Sequence, residues 1–415
     1  MTTELEHVLE LILDEVSNTK RNDLIAQKLF VHRDRLYLQK RKGLVEPFEE
    51  LPNFLRKSPL KVSRFCKESR FLFERNLVST YFNNENRLCL PESKKNITTY
   101  WSGFRSCITA DLSTGQLYRL KGVAVDNKPL IVDGEKDAPF CVWGGQFLRS
   151  AYNERDYSNK FNKILADNGI EPIMEYVGLY KLPVRARRKQ LATSIIRVLG
   201  DTRLDEFFYA LEYDAWNSRA FAEKDYPKLQ SFYNEAHHFY KDIGYVTGKL
   251  KKLMDRGGLS WSDNRERTNA HIGNIVIYKA DKQNLGVGLV DFDASCDRRD
   301  KSKTALLQQQ KQERNNIIDS AVGPIVSPRY FGNIFYKNLY CLELRTAFRF
   351  GFSCGYDIKP KREISNKIGT ERLTGLVEKL EDLGKRNEIK SDSFPKMILL
   401  DESVCFEEQK IDLLH

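Results

Sequence analysis

The sequence predicts an α+β protein with a β-rich lobe, a helical lobe after it, and a helical extension at the N-terminus. Strand-like segments rich in β-branched and aromatic residues occupy 104–110 and 116–125, whereas helical periodicity dominates the second half of the chain. Within that half, residues 275–290 form two apolar runs around a charged turn, the pattern of a β-hairpin. The predicted domains are 1–95 for the extension, 96–215 for the β-rich lobe and 216–415 for the helical lobe.

The composition fits a packed protein of two or three domains, because 415 residues carry 41% hydrophobic and 11% aromatic side chains. No apolar stretch approaches the roughly 18–20 residues that span a bilayer, and the acidic start lacks targeting features. We therefore expect a cytoplasmic protein without a membrane partner. The net charge of +10 lies in short basic clusters, which are typical of a solvated surface and leave nucleic acid open as a partner.

The elements of the first half follow from periodicity and from turn residues. Residues 3–17 predict an amphipathic helix behind a Thr3–Glu6 capping box, and the polar stretch 83–96 predicts a domain boundary. The strands 104–110 and 116–125 flank a turn at 111–115. After them the sequence predicts a helix over 146–168, strands over 172–180 and 193–199, and a helix over 204–211.

The second half is predicted to be mainly helical. An apolar stripe from Leu229 to Tyr240 predicts a long helix over 227–255. The hairpin at 275–290 follows. Further periodic apolar spacing then predicts helices over 303–320, 338–350 and 369–386.

The hairpin carries polar residues at both of its ends. Asn274 stands just before its first strand and Asp291 just after its second. A protein-kinase-like fold places an asparagine and an aspartate at these positions to hold Mg²⁺ on nucleotide phosphates, and a hard cation needs such oxygen ligands. Asn and Asp are also common turn residues, so an ordinary hairpin with polar ends remains an alternative.

Lys121 lies inside a predicted strand and Glu154 in the first half of the following helix. A kinase-like enzyme needs a strand lysine to neutralise phosphate charge and a helix glutamate to orient that lysine. A lysine at this position also suits the solvated face of a sheet. The two residues therefore predict a nucleotide site only when they are taken together with the hairpin.

Several sequence blocks occur in a recognisable order over roughly residues 115–295. They are Leu120-Lys121-Gly122, Arg149-Ser150 with Glu154, Gly169-Ile170-Glu171-Pro172, and Arg197-Val198-Leu199 followed by Arg203. In order and wording they resemble the selenoprotein-O family, proteins with a pseudokinase fold that transfer AMP. The interval between the two arginines is one residue shorter than in that family.

The resemblance implies a two-lobed protein-kinase-like fold, ATP as a bound partner, and Mg²⁺ or Mn²⁺ as a cofactor. It implies that Lys121 pairs with Glu154, while Lys121, Arg197 and Arg203 contact the nucleotide phosphates. It further implies that Asn274 and Asp291 hold the metal. The expected reaction is transfer of AMP to a hydroxyl group, with a protein as the acceptor.

The chain departs from the family at the catalytic segment. The family has an aspartate beside the metal-binding asparagine, where this chain has Gly273, and the usual kinase base position five residues before Asn274 is Asn269. His271 is the candidate base at neutral pH, and Asp293 is a candidate further metal ligand. A kinase-type phosphotransferase acting on a small molecule or RNA, and a nucleotide-binding pseudoenzyme, remain the alternatives.

Overall fold

A computed structural model describes most of the chain between residues 106 and 384. The continuous described stretches are 106–122, 146–186, 189–205, 218–262, 269–322, 339–357 and 364–384, and short strand segments before residue 144 and single helical residues between 207 and 215 are also described. The predicted helix over 3–17 and most of the predicted boundary over 83–96 lie outside the described residues.

The described elements comprise short and long strands and six helices. The strands are β1 (Leu60–Val62), β2 (Cys89–Leu90), β3 (Tyr100–Trp101), β4 (Ser106–Ala110), β5 (Leu117–Lys121), β6 (Ala124–Val125), β7 (Ile131–Gly134), β8 (Pro139–Trp143), β9 (Met174–Ala186), β10 (Lys189–Val198), β11 (Thr202–Arg203), β12 (Leu259–Ser260), β13 (Ile275–Lys279), β14 (Asn284–Leu289), β15 (Cys296–Asp297) and β16 (Lys367–Gly369). The helices are α1 (Leu148–Ala166), α2 (Arg219–Ala222), α3 (Tyr226–Arg256), α4 (Lys303–Val322), α5 (Leu339–Tyr356) and α6 (Thr370–Asp382).

The chain divides into two compact units. The first contains the described residues up to Asp201 together with Val290–Cys296, and the second contains the described residues of Thr202–Leu289 and those from Asp297 onward. The first division between these units falls at Asp201, and the predicted domain boundary at residue 215 stays a prediction. The segment Val290–Cys296 returns to the first unit although it follows a hairpin of the second.

The first unit is built on an antiparallel sheet with the strand order β1-β9-β10-β5-β4-β3. Strand β5 lies between β10 and β4 and is buried along its whole length. Helix α1 packs against β9 and β10, because Ala151, Phe161 and Leu165 form its buried face. The predicted helical extension differs here, since β1 lies within it and completes the sheet through backbone pairing with β9.

The turn after β5 fixes where the strand ends. Gly122 has a φ of 92°, and a Cβ at this position would lie 2.2 Å from the carbonyl oxygen of Ala192. Only glycine allows both this left-handed backbone and this close approach. Lys121 therefore stands at the end of a central buried strand, with the neighbouring strand β10 tight against the following turn.

The second unit contains a sheet with the order β11-β13-β14-β16, and the predicted hairpin is confirmed within it. Strands β13 and β14 pair antiparallel from Ile275 with Leu289 to Lys279 with Leu285. The predicted helices at 227–255, 303–320 and 369–386 are confirmed as α3, α4 and α6. Helix α5 continues to Tyr356, beyond the predicted end at residue 350.

Helices α3 and α5 approach each other through glycines from both sides. Cβ atoms at Gly244 and Gly248 would lie 2.1 and 2.2 Å from the carbonyl oxygens of Phe348 and Phe352. On α5, Gly351 and Gly355 meet the backbone of α3 at similarly short distances. The absence of side chains at these four positions allows the two backbones to touch.

A buried ion network holds the same helices to α4. Lys251 is fully buried, contacts Asp255 one turn later, and donates to Glu313 of α4 at 2.9 Å. The hydroxyl of Tyr356 on α5 donates to Asp255 at 2.7 Å. Burial alone lowers the pKa of Lys251, but the charges of Glu313 and Asp255 outweigh it, so this pKa is raised and the ammonium stays charged.

The fold class is α+β, with antiparallel sheets and helices in the described part of the chain. None of the described helices combines the length and the apolar character needed to cross a bilayer.

Candidate functional site

Lys121 is the centre of a buried ion cluster in the first unit. Its Nζ donates to Oε1 and Oε2 of Glu154, both at 2.8 Å, and to Oδ1 of Asp291 at 2.7 Å. Lys121 is 4% exposed and Glu154 is fully buried. The structure therefore brings together three of the residues that the sequence singled out, over separations of 33 and 170 residues.

Glu154 has a second support that the sequence analysis did not anticipate. Gln146, just before α1, donates from Nε2 to Oε2 of Glu154 at 2.9 Å, and Ser194 of β10 donates to Oε1 of Gln146 at 3.0 Å. Gln146 and Ser194 are themselves fully buried. The carboxylate of Glu154 is thus held by an amide on one side and an ammonium on the other, which fixes its rotamer.

The segment that carries Asp291 is fixed to α1. Phe292 packs its ring against Phe161 with the centroids 5.4 Å apart, and Asn153 of α1 donates to the carbonyl oxygen of Asp293 at 2.9 Å. Asp291 itself has a φ of 66°, which is an uncommon left-handed conformation for a residue other than glycine. The surrounding contacts hold the backbone in this conformation and direct the Asp291 carboxylate to Lys121.

Tyr176 of β9 adds a further oxygen beside the cluster. Its hydroxyl oxygen is buried, and burial, followed by the charges of Glu154, Asp291 and Asp293, raises its pKa well above the ordinary value. The hydroxyl therefore stays protonated. No sequence pattern marks this residue, because an aromatic side chain in a strand is an ordinary core residue.

Arg203 and Asn274 form a second cluster, which lies in the second unit. Arg203 is 6% exposed, and one of its terminal nitrogens donates to Oδ1 of Asn274 and to the carbonyl oxygen of Gly273, both at 3.1 Å. The amide nitrogen of Asn274 donates to the carbonyl oxygen of Asn269 at 3.0 Å. These contacts fix both the position and the orientation of the Asn274 amide.

His271 lies in the same turn. Its Nε2 is 3.2 Å from the amide nitrogen of Asn274, so this contact is a hydrogen bond only when Nε2 is the acceptor and the ring proton is on Nδ1. Asp205 also reaches this turn: its Oδ2 and the Nδ1 of His271 each lie 3.0 Å from where a Cβ of Gly273 would be. The sequence analysis did not single out Asp205, which lies far from Gly273 along the chain.

Arg197 belongs to the first unit and takes part in an ion pair there. It lies in β10 and donates to Oε2 of Glu175 on the neighbouring strand at 2.6 Å. The Arg197 side chain is 35% exposed and that of Glu175 is 64% exposed. Surface ion pairing accounts for this arrangement, and the proposed phosphate contact of Arg197 stays a prediction.

The residues that the sequence predicts as ligands of a divalent cation belong to different units, and their role stays a prediction. Asp291 and Asp293 belong to the first unit and Asn274 to the second. Carboxylate and amide oxygens are the donors that Mg²⁺ and Mn²⁺ prefer, so the chemistry of these residues fits the ion. Among the described residues, no three His, Cys, Asp or Glu side chains gather closely enough to hold a metal by themselves.

No protein-family model matches this chain, and comparison with curated proteins gives no significant match. The case for its function therefore rests on the residues and distances given above.

Proposed function

We propose that the protein is an ATP- and divalent-metal-dependent transferase with a two-lobed protein-kinase-like fold, which transfers AMP to a protein hydroxyl. The observation that carries this proposal is the buried contact of Lys121 with Glu154 and Asp291. Kinase-like enzymes use a strand lysine, a helix glutamate and an aspartate after a hairpin to hold nucleotide phosphates and their metal.

The energetics of the cluster favour a functional role over a structural one. Removing a charged group from water costs several kcal/mol, and a buried ion pair seldom stabilises a fold better than well-packed apolar side chains of similar volume. Here one ammonium and one carboxylate are almost completely buried, and a second carboxylate contacts the ammonium. Unlike the Lys251–Glu313 pair, which is fully buried, the Lys121 cluster includes Asp291, whose side chain is 18% exposed, so a charged ligand can reach it.

The residues have distinct roles in the proposed reaction. Lys121, oriented by Glu154, binds phosphate oxygens of ATP, and Arg203 adds a second cation for phosphate. Asp291 and Asn274 would hold the divalent ion, with Asp293 as a further donor; when bound, the ion neutralises phosphate charge. The oxygen of the acceptor hydroxyl forms a bond to the α-phosphorus, the bond from this phosphorus to pyrophosphate breaks, and pyrophosphate leaves with the electron pair.

Isotope labelling tests this function. We expect α-³²P-ATP with Mg²⁺ to label the protein itself or added casein, whereas γ-³²P-ATP does not, because pyrophosphate leaves with the γ-phosphorus. Excess EDTA and the substitution Asp291→Ala should each abolish the label. Asp242→Asn is the matched control, since it removes a partly exposed carboxylate that is paired with Arg372 and has no role in the proposed site.

The other outcomes identify the alternatives. Label from the γ position alone would replace AMP transfer by a kinase-type phosphotransferase. Nucleotide-dependent thermal stabilisation without any labelled product would indicate a nucleotide-binding pseudoenzyme. A label that persists in EDTA would contradict the role of the metal.

A further inference from the structure

Transfer to a hydroxyl requires an acceptor for the hydroxyl proton, and the two sequence positions where an acid was expected hold Asn269 and Gly273. Asn269 is buried, and its carbonyl oxygen accepts from Asn274. An amide side chain does not serve as a base at neutral pH. The carboxylate must therefore come from elsewhere in the chain, or the transfer proceeds without one.

Asp205 brings a carboxylate to this turn from outside it. Its Oδ2 lies 3.0 Å from the point where a side chain on Gly273 would begin. Gly273 does not have a positive φ, so its backbone conformation does not by itself require glycine. A Cβ on Gly273 would crowd Asp205 and His271, whose side chains would have to shift by a few tenths of an ångström.

We propose that Asp205 is the proton acceptor for the attacking hydroxyl, with His271 as the residue that positions it. This inference rests on the proposed function. Asp205 is half-buried, so an acceptor hydroxyl can reach it. It lies two residues after the end of β11, whose Arg203 donates to Asn274. When the bond from oxygen to phosphorus forms, the hydroxyl proton passes to the Asp205 carboxylate and is later released to water.

The tautomer of His271 determines which of the two residues accepts the proton. When Nε2 accepts from the Asn274 amide, the ring proton is on Nδ1, the atom that faces the same small volume as Asp205 Oδ2. A ring nitrogen engaged in this way is not directed at a substrate. His271 therefore orients its neighbours, and Asp205 presents the carboxylate oxygen.

Three variants test the proposal by the initial rate of labelling from α-³²P-ATP and by ATP affinity from calorimetry. Asp205→Asn keeps the size of the side chain and should lower the rate by about 100-fold or more, the usual contribution of a positioned base, with ATP affinity unchanged. Asp242→Asn, which removes a partly exposed carboxylate paired with Arg372, is the control and should keep the wild-type rate. His271→Gln should lower the rate less than Asp205→Asn.

A relocation experiment separates a catalytic carboxylate from a structural one. Asp205→Gly removes one of the two side chains that crowd residue 273, the other being His271, and the double substitution Asp205→Gly with Gly273→Asp restores a carboxylate to this turn. We expect the double variant to be more active than Asp205→Gly alone. A residue with only a packing role would give no such recovery.

The outcomes distinguish failure of this inference from failure of the proposed function. If wild type labels from the α position and Asp205→Asn does so within threefold of the same rate, Asp205 is not the acceptor and AMP transfer stands. A double variant no more active than Asp205→Gly, or a larger loss in His271→Gln than in Asp205→Asn, also overturns the assignment. Wild-type protein that gives no α label overturns the proposed function, and the inference with it.

Discussion

At the scale of single residues, Lys121 is positioned by charge. Two carboxylates and almost no solvent surround its ammonium, and the Glu154 carboxylate is in turn held by Gln146. Lys121, Glu154 and Gln146 are linked by hydrogen bonds, so the loss of one partner leaves a neighbouring charge poorly compensated in a medium of low dielectric constant. Substitutions of these residues should therefore lower the free energy of unfolding by more than the change in side-chain volume alone would.

Glu154→Gln tests this directly. We expect the variant to lose about 3 kcal/mol of stability in urea unfolding, the lower end of the range for breaking a buried pair, because Asp291 still compensates Lys121. ATP affinity should fall as well, since Lys121 is no longer oriented. The same substitution at Glu175, which is 64% exposed in its pair with Arg197, should cost at most about 1 kcal/mol. Equal losses in the two variants would contradict a special role for the buried pair.

At the scale of elements, close contact between α3 and α5 depends on positions without side chains. Gly244 and Gly248 meet carbonyl oxygens of the α5 backbone, and Gly351 and Gly355 meet the backbone of α3. Backbone atoms in packed helices cannot move aside as the end of a flexible side chain can. The two helices must therefore separate if any of these glycines acquires a Cβ.

Gly248→Ala is the substitution that tests the helix contact. The new Cβ would lie 2.2 Å from the carbonyl oxygen of Phe352, so we expect a loss of about 1–3 kcal/mol and a lower thermal midpoint. Gly375→Ala in α6 is the control: its nearest contact is the flexible end of Glu235 at 3.4 Å, and alanine favours a helix by about 1 kcal/mol. A midpoint for Gly248→Ala at or above that of Gly375→Ala would show that the helices are not in close contact.

At the scale of the whole molecule, the chain passes from the first unit to the second at Asp201, returns for Val290–Cys296, and leaves again. Asp291 and Phe292 are in the returning segment, so the first unit obtains a charge of its ion cluster and part of its core from a distant stretch of sequence. A fragment ending at Asp201 would lack both.

The net charge of +10 is compatible with nucleic acid as a partner, and this stays a prediction.

Calorimetric unfolding tests the division into two units. Because each unit has its own buried core, we expect thermal unfolding to depart from a two-state transition, with a calorimetric enthalpy larger than the van't Hoff enthalpy. ATP with Mg²⁺ should raise the midpoint temperature of unfolding. A single transition with equal enthalpies would show that the units unfold as one.

Local patterns in the sequence predict the secondary structure near the candidate site. Periodicity located α1 and α3, and the alternation around a charged turn located the hairpin of β13 and β14. These signals are local, because a helix or a hairpin is specified by residues only a few positions apart. The same local signals identified Lys121 on a strand and Glu154 on a helix as candidates.

Which polar residues contact one another depends on the tertiary structure. Lys121, Glu154 and Asp291 are separated by up to 170 residues along the chain, and periodicity carries no information about such pairings. The tertiary structure also places Arg197 in an exposed pair with Glu175, although the sequence alone does not distinguish Arg197 from Arg203. The sequence does not distinguish Asp205 from the other acidic residues, and only the fold places it next to Gly273. Such long-range contacts depend on how whole elements pack and on which side chains share the remaining space.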